Sequence, residues 1–112
     1  MKKSSLIILI VAILLCFTAC TPKEKESTFR ATVLQNNVAS LLVEPEKGSN
    51  EMKSADKISV SAVDSSVFNS QGKTIKLSDI KTGEKVEVTY GGEILESYPA
   101  QIPNCFKIKV IE

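Results

Sequence analysis

The chain has 112 residues, with 14 Lys+Arg against 13 Asp+Glu and no histidine, so it holds at most one small domain. The missing histidine removes the usual neutral-pH general base and the commonest zinc ligand, which weighs against Ser/His/Asp hydrolases, Cys/His proteases and histidine-based metal sites. Charge and apolar residues are unevenly spread: Leu6 to Ala19 carries no charge, and apart from Lys2 and Lys3 the charged residues follow Cys20.

Met1-Lys2-Lys3 forms a short basic start, Leu6 to Leu15 an apolar stretch, and Phe17-Thr18-Ala19-Cys20 a small-residue ending. This is the layout of a secretion signal. The uncharged stretch of 14 residues, Leu6 to Ala19, is shorter than the roughly 20 apolar residues that a spanning helix needs. The ending resembles the bacterial lipoprotein signal, with Thr18, Ala19 and Cys20 fitting the lipobox and Phe17 standing where leucine is usual. That resemblance implies that the Cys20 thiol receives a diacylglyceryl group before residues 1–19 are cut away. Two acyl chains suffice for stable membrane attachment where one does not.

The expected product therefore starts at Cys20 and has 93 residues (112 less 19). Loss of Lys2 and Lys3 leaves 12 basic against 13 acidic residues, a balance of −1. Neither the positive field that a nucleic-acid binder needs nor a polybasic membrane patch is present in these totals. Cys16 leaves with the leader and Cys20 carries lipid, so Cys105 is the single free thiol and no internal disulfide is expected. The domain must then stand on its apolar core, outside the reducing cytoplasm.

Residues 20–27 read as the lipidated cysteine and a solvated tether, and residues 28–112 as the folded domain. The dominant period there is two. Phe29, Ala31 and Val33 alternate with Arg30 and Thr32 in a first strand. Asn36-Asn37 is the expected turn, because asparagine tolerates positive φ, and Leu41 to Val43 is a second strand stopped by Pro45.

Glu46 to Asp56 is polar and aperiodic, which predicts a loop. Ile58, Val60 and Ala62 make a third strand, and Asp64 to Lys73 is ambiguous, with Val67 and Phe68 available to plug one end of the core. One helical turn is predicted at Ser78 to Gly83, with Ser78 as N-cap. Val86, Val88 and Tyr90 against Lys85, Glu87 and Thr89 give the cleanest strand. Gly91-Gly92 then suits a tight hairpin turn into a short strand, Ile94 to Tyr98, ended by Pro99. Phe106, Ile108 and Val110 against Lys107 and Lys109 make the closing strand, and the alternation predicts that these three share the inward face.

Five or six short antiparallel strands with one helical turn suit an all-β, OB-like barrel, which covers edges that an open sheet of this size leaves unpaired. A small sandwich is the rival. Phe29 to Leu34, Leu42 to Pro45, Ser54 to Val60, Leu77 to Gly92 and Glu96 to Ala100 together resemble the YobA-like family of small bacterial lipoproteins of unknown function. The resemblance implies an OB-like β-domain on a lipid anchor and brings no catalytic residues with it.

Cys105 has no imidazole to activate it, and an inert cysteine at a strand start is the expectation. Glu44, Glu46, Glu51 and Asp56 gather near one loop but lack the alternating Asp/Asn spacing around glycine that signals calcium, so no metal and no cofactor is expected. Glycosidase chemistry has no tryptophan platform here. Tyr98-Pro99-Ala100-Gln101-Ile102-Pro103 reads as a stiff extended lid, with Glu96 placed to tie it down. Tyr98, Pro99 and Gln101 are the candidate contacts for a ligand or partner.

The expectation is thus a lipid-anchored domain at the outer face of the cell membrane, non-enzymatic, binding an envelope protein or peptide and no nucleic acid. An enzyme or enzyme accessory acting through carboxylates or Cys105 is the alternative.

Overall fold

A computed structural model describes residues 25–111; the leader, Cys20 and Thr21 to Glu24 of the tether lie outside the described residues. Seven strands form one sheet: β1 Glu26–Asn36, β2 Ser40–Pro45, β3 Ile58–Ser61, β4 Ser66–Phe68, β5 Lys85–Gly91, β6 Ala100–Ile102 and β7 Cys105–Val110. A short helix, α1 (Asn50–Ser54), follows β2, and a 3₁₀ turn spans Leu77–Asp79. β1 includes Glu26 and Ser27, which pair with Gly91 and Tyr90, so ordered sheet begins within the residues read as tether.

The strand order is β4-β7-β5-β1-β2-β3-β6. Only Pro103 and Asn104 separate β6 from β7, yet the two stand five positions apart in that order. In a flat sheet they would lie about 24 Å apart, whereas the three Cα steps from Ile102 to Cys105 reach about 11 Å at most. The sheet must therefore curl until the segment 100–110 bridges β3, parallel to β6, and β5, antiparallel to β7. β1 makes the curl workable, because its first half pairs with β5 and its second half with β2, with a bulge at Leu34 between the paired positions Val33 and Gln35.

Alternation decides which side chains enter the core. Val33, Leu41, Val43, Ile58, Val60, Val86, Val88 and Ile108 are wholly buried, and each valine, leucine or isoleucine so buried contributes about 1.5–3 kcal/mol of transfer free energy. Cys105 is a free thiol, so this core holds the described fold without a disulfide.

Several expectations need correction. Among the described residues there are seven strands, not five or six, because two three-residue strands carry too little pattern to be predicted: β4 in the ambiguous stretch, parallel to β7, and β6 in the supposed lid, parallel to β3. The strand expected at Ile94 to Tyr98 reduces to a single bridge between Leu95 and Gln101. Gly91-Gly92 makes no hairpin: Gly91 extends β5 and donates its N–H to Asn104 at 2.9 Å, while Gly92, at φ 75°, turns the chain away from the sheet.

Phe106 points outward and is 40% exposed, with Cys105 buried in its stead. The cause is a bulge: Thr89 pairs with Lys107 and Tyr90 with Cys105, leaving Phe106 as the extra residue and reversing the alternation at the strand start. The loop Glu46 to Asp56 contains α1, capped by Ser49, whose Oγ accepts the Met52 N–H. Lys76, not Ser78, precedes the 3₁₀ turn, with the Asp79 carboxylate accepting the Lys76 N–H. At the β1–β2 turn the positive φ, 75°, falls on Val38 instead of an asparagine. Asn36 accepts the Val38 N–H and donates through Nδ2 to the carbonyls of Leu77 and Ile80, tying that turn to the 3₁₀ segment.

Candidate functional site

The two segments singled out separately in the sequence, 46–56 and 98–103, meet in space. Tyr98 Oη donates to Asp56 Oδ1 at 3.0 Å. Deeper in the same region, Tyr90 Oη donates to Glu51 Oε2 at 2.7 Å. Two phenols thus grip the α1 segment through two carboxylates, one within the helix and one just beyond it.

Their settings differ. Tyr90 sits on the inward face of β5, edge-on to Phe29 with ring centroids 5.6 Å apart, and Glu51 is buried beside it. Burial first, then the Glu51 hydrogen bond and charge, push the Tyr90 phenol from 10.0 up to about 12, with Ser27 opposing. Tyr98 is 69% exposed. Its phenol is held above the usual value chiefly by the hydrogen bond to Asp56.

Tyr98, Pro99 and Gln101 all lie at the surface. The Tyr98–Pro99 peptide is cis, and Ser97 Oγ donates to the Pro99 carbonyl at 2.8 Å. Gln101 exchanges two backbone hydrogen bonds with Leu95, at 2.8 and 3.1 Å. The loop is fastened by Ser97, Leu95 and Tyr98, where Glu96 had been expected to act. Leu95 remains half exposed beside Glu93, Glu96 and Ile94 in a shallow surface depression.

Cys105 opens β7 and is buried, its Sγ 3.6 Å from the Lys107 carbonyl. Burial pushes the thiol up, against smaller opposing effects of Ser65 and the Lys107 backbone, which disfavours the thiolate needed by a nucleophile. Of the carboxylates grouped in the sequence near one loop, Glu51 is bonded by Tyr90 and Asp56 by Tyr98, while Glu46 lines an open cleft. Among the described residues no set of three His, Cys, Asp or Glu side chains is placed to hold a metal.

An open cleft lies between β1 and the segment leading into α1, lined by Phe29, Arg30, Glu46, Ser49, Glu51 and Glu87 among others. Arg30 Nε stands 3.9 Å from Glu87 Oε2 across the β1–β5 pair. Sequence reasoning missed this cleft, because its walls come from three separated stretches of chain. The one local signal was Ser49, a capping residue ahead of Glu51.

Fold and surface together define a small β-domain built on one curled sheet, with a phenol-clamped helical segment at its edge. Residues 31–112 match the family model described as "Protein of unknown function (DUF3221)", and the chain belongs to that family. No curated protein and no solved structure matches it. Among the described residues no helix is long and apolar enough to cross a membrane.

Proposed function

We propose that this chain is a lipid-anchored, non-enzymatic binding domain on the outer face of the cell membrane, an OB-like barrel that presents a fixed rim to an envelope protein or peptide. The leader ending at Ala19-Cys20 and the resemblance to YobA-like lipoproteins support the anchor. The bridging of β3 and β5 by segment 100–110 supports the barrel.

The observation that carries the binding role is the Tyr98–Asp56 contact. It holds an exposed aromatic ring and Pro99 in place beside Gln101, and a preordered aromatic at a surface loses little conformational freedom on binding. A thiol mechanism through Cys105 is disfavoured by its burial and its raised pKa.

The anchor is tested by labelled fatty acid, whose incorporation should vanish in Cys20→Ala; label that survives the change refutes it. The binding role is tested by capture from envelope extracts with the detergent-solubilised full chain. A partner should be retained by the native chain and lost on Tyr98→Ala at unchanged Tm. Equal retention by both would remove the rim from the contact.

A further inference from the structure

The geometry points to a second contact on the same domain: the free edge of β1 adds an extended, basic peptide as an extra strand, with the peptide's cationic side chains seated in the Glu46–Glu51–Glu87 cleft. This deepens the reading of the chain as a binding domain and is independent of the lipid anchor.

The edge follows from register. β2 pairs with β1 from Asn36 back to Ala31, opposite Pro45, and one further hydrogen bond runs from the Glu46 N–H to the Arg30 carbonyl at 2.9 Å. There the chain peels away, with Ser49 N–H and Oγ both donating to the Glu46 carbonyl. β1 nevertheless continues back to Glu26, and among the described residues this stretch is paired with β5 alone.

Because Arg30 turns its carbonyl toward Glu46, alternation turns the backbone N–H and C=O of Thr28 to that same side, which β2 has left. The side chains agree with this phase. Thr28 Oγ1 lies 3.1 Å from Thr89 Oγ1, and Arg30 reaches Glu87, as expected of the close, non-hydrogen-bonded positions of an antiparallel pair. A strand edge with outward donors and acceptors is a template for an incoming chain.

Charge selects what enters. Glu46, Glu51 and Glu87 line the cleft together with Arg30, and Lys85 stands beside Glu46 in the adjoining depression, so the described lining is net acidic. Glu51 is held in position by Tyr90, so this wall of the cleft is fixed before a ligand arrives. An extended peptide with basic residues at alternate positions satisfies both demands: its backbone meets Thr28, and its cationic side chains meet the carboxylates.

The test uses the full chain in detergent and fluorescence anisotropy with an end-blocked heptapeptide of alternating lysine and threonine. Binding is expected, and it should weaken about tenfold in the Glu46→Gln/Glu87→Gln double variant through loss of charge-assisted contacts. The same peptide with alternate backbone amides N-methylated should not bind, nor should its glutamate-for-lysine counterpart. The methylated-peptide arm needs no variant and so does not depend on a mutant's folding.

Equal binding by the methylated peptide overturns strand addition, and equal binding by the glutamate peptide overturns the charge argument. Concentration-dependent dimerisation of the chain that Thr28→Pro abolishes would assign the edge to a second copy and also overturn the proposal. Absence of peptide binding, with an envelope partner still captured through Tyr98, removes this inference and leaves the proposed function standing.

Discussion

The two tyrosine–carboxylate pairs are the same chemical contact placed in two environments. Tyr90–Glu51 is buried against Phe29, and Tyr98–Asp56 is out in solvent, yet both fasten the α1 segment to the rest of the domain. In the buried pair both side chains are largely withdrawn from water, so loss of the hydrogen bond bears on stability. In the exposed pair water competes throughout, and what remains is orientation of a surface ring. One contact fixes where the helix sits, and the other fixes what the surface presents.

The largest effect expected from breaking this contrast is that of Tyr90→Phe, which leaves a buried Glu51 oxygen without its donor and should cost on the order of 3 kcal/mol, read from chemical denaturation. Replacing both partners with apolar side chains, Tyr90→Phe/Glu51→Leu, should recover much of that loss, since no buried polar group is then left unpaired. A single variant as stable as the native chain would show that water reaches Glu51 and that the two pairs do not differ in kind.

Alkaline pH probes the same pair without mutation. The Tyr90 phenol rises from 10.0 to about 12 on folding. Its contribution is therefore complete below pH 10 and is lost as pH climbs through 12, because the unfolded chain releases this proton first. The loss is on the order of 2 kcal/mol. The sequence has two tyrosines and no tryptophan, so tyrosinate absorbance can follow Tyr90 alone in a Tyr98→Phe background. A midpoint near 10 would contradict the burial argument.

How much of this could be read from sequence depends on whether its cause was local. The inward set Val86, Val88 and Tyr90 of β5 was legible because one buried face imposes period two over a whole strand. β4 and β6 were not, since three residues span too little of a period and both strands are selected by parallel partners some forty residues away, as in Ser66 with Lys107 and Ile58 with Ala100. Phe106 was assigned to the wrong face because the bulge opposite Thr89 and Tyr90 is a property of two strands in register, not of one.

The candidate site divides in the same way. Tyr98 and Pro99 stood out by residue type, and the acidic loop by composition. That the two are joined through Asp56, and that Glu51 has a phenol partner 39 residues away, required tertiary structure. α1 reads as loop in the sequence, because five residues make too short a helix to show a period, and its one local cue, the Ser49 cap, is recognised only in the structure.

The smallest expected effect is the most discriminating for function. Tyr98→Phe removes the hydroxyl that reaches Asp56 while keeping the ring, and at a site this exposed the melting temperature should not change measurably. If the tie serves orientation, the same variant should still weaken capture of an envelope partner, because the ring regains freedom that must be given up on binding. Asp56→Asn, whose amide oxygen can still accept from Tyr98, should retain most of that capture, whereas Asp56→Ala should match Tyr98→Phe. Capture that is indifferent to all three changes would make the exposed pair a bystander, and the difference between the two tyrosines would then be one of stability alone.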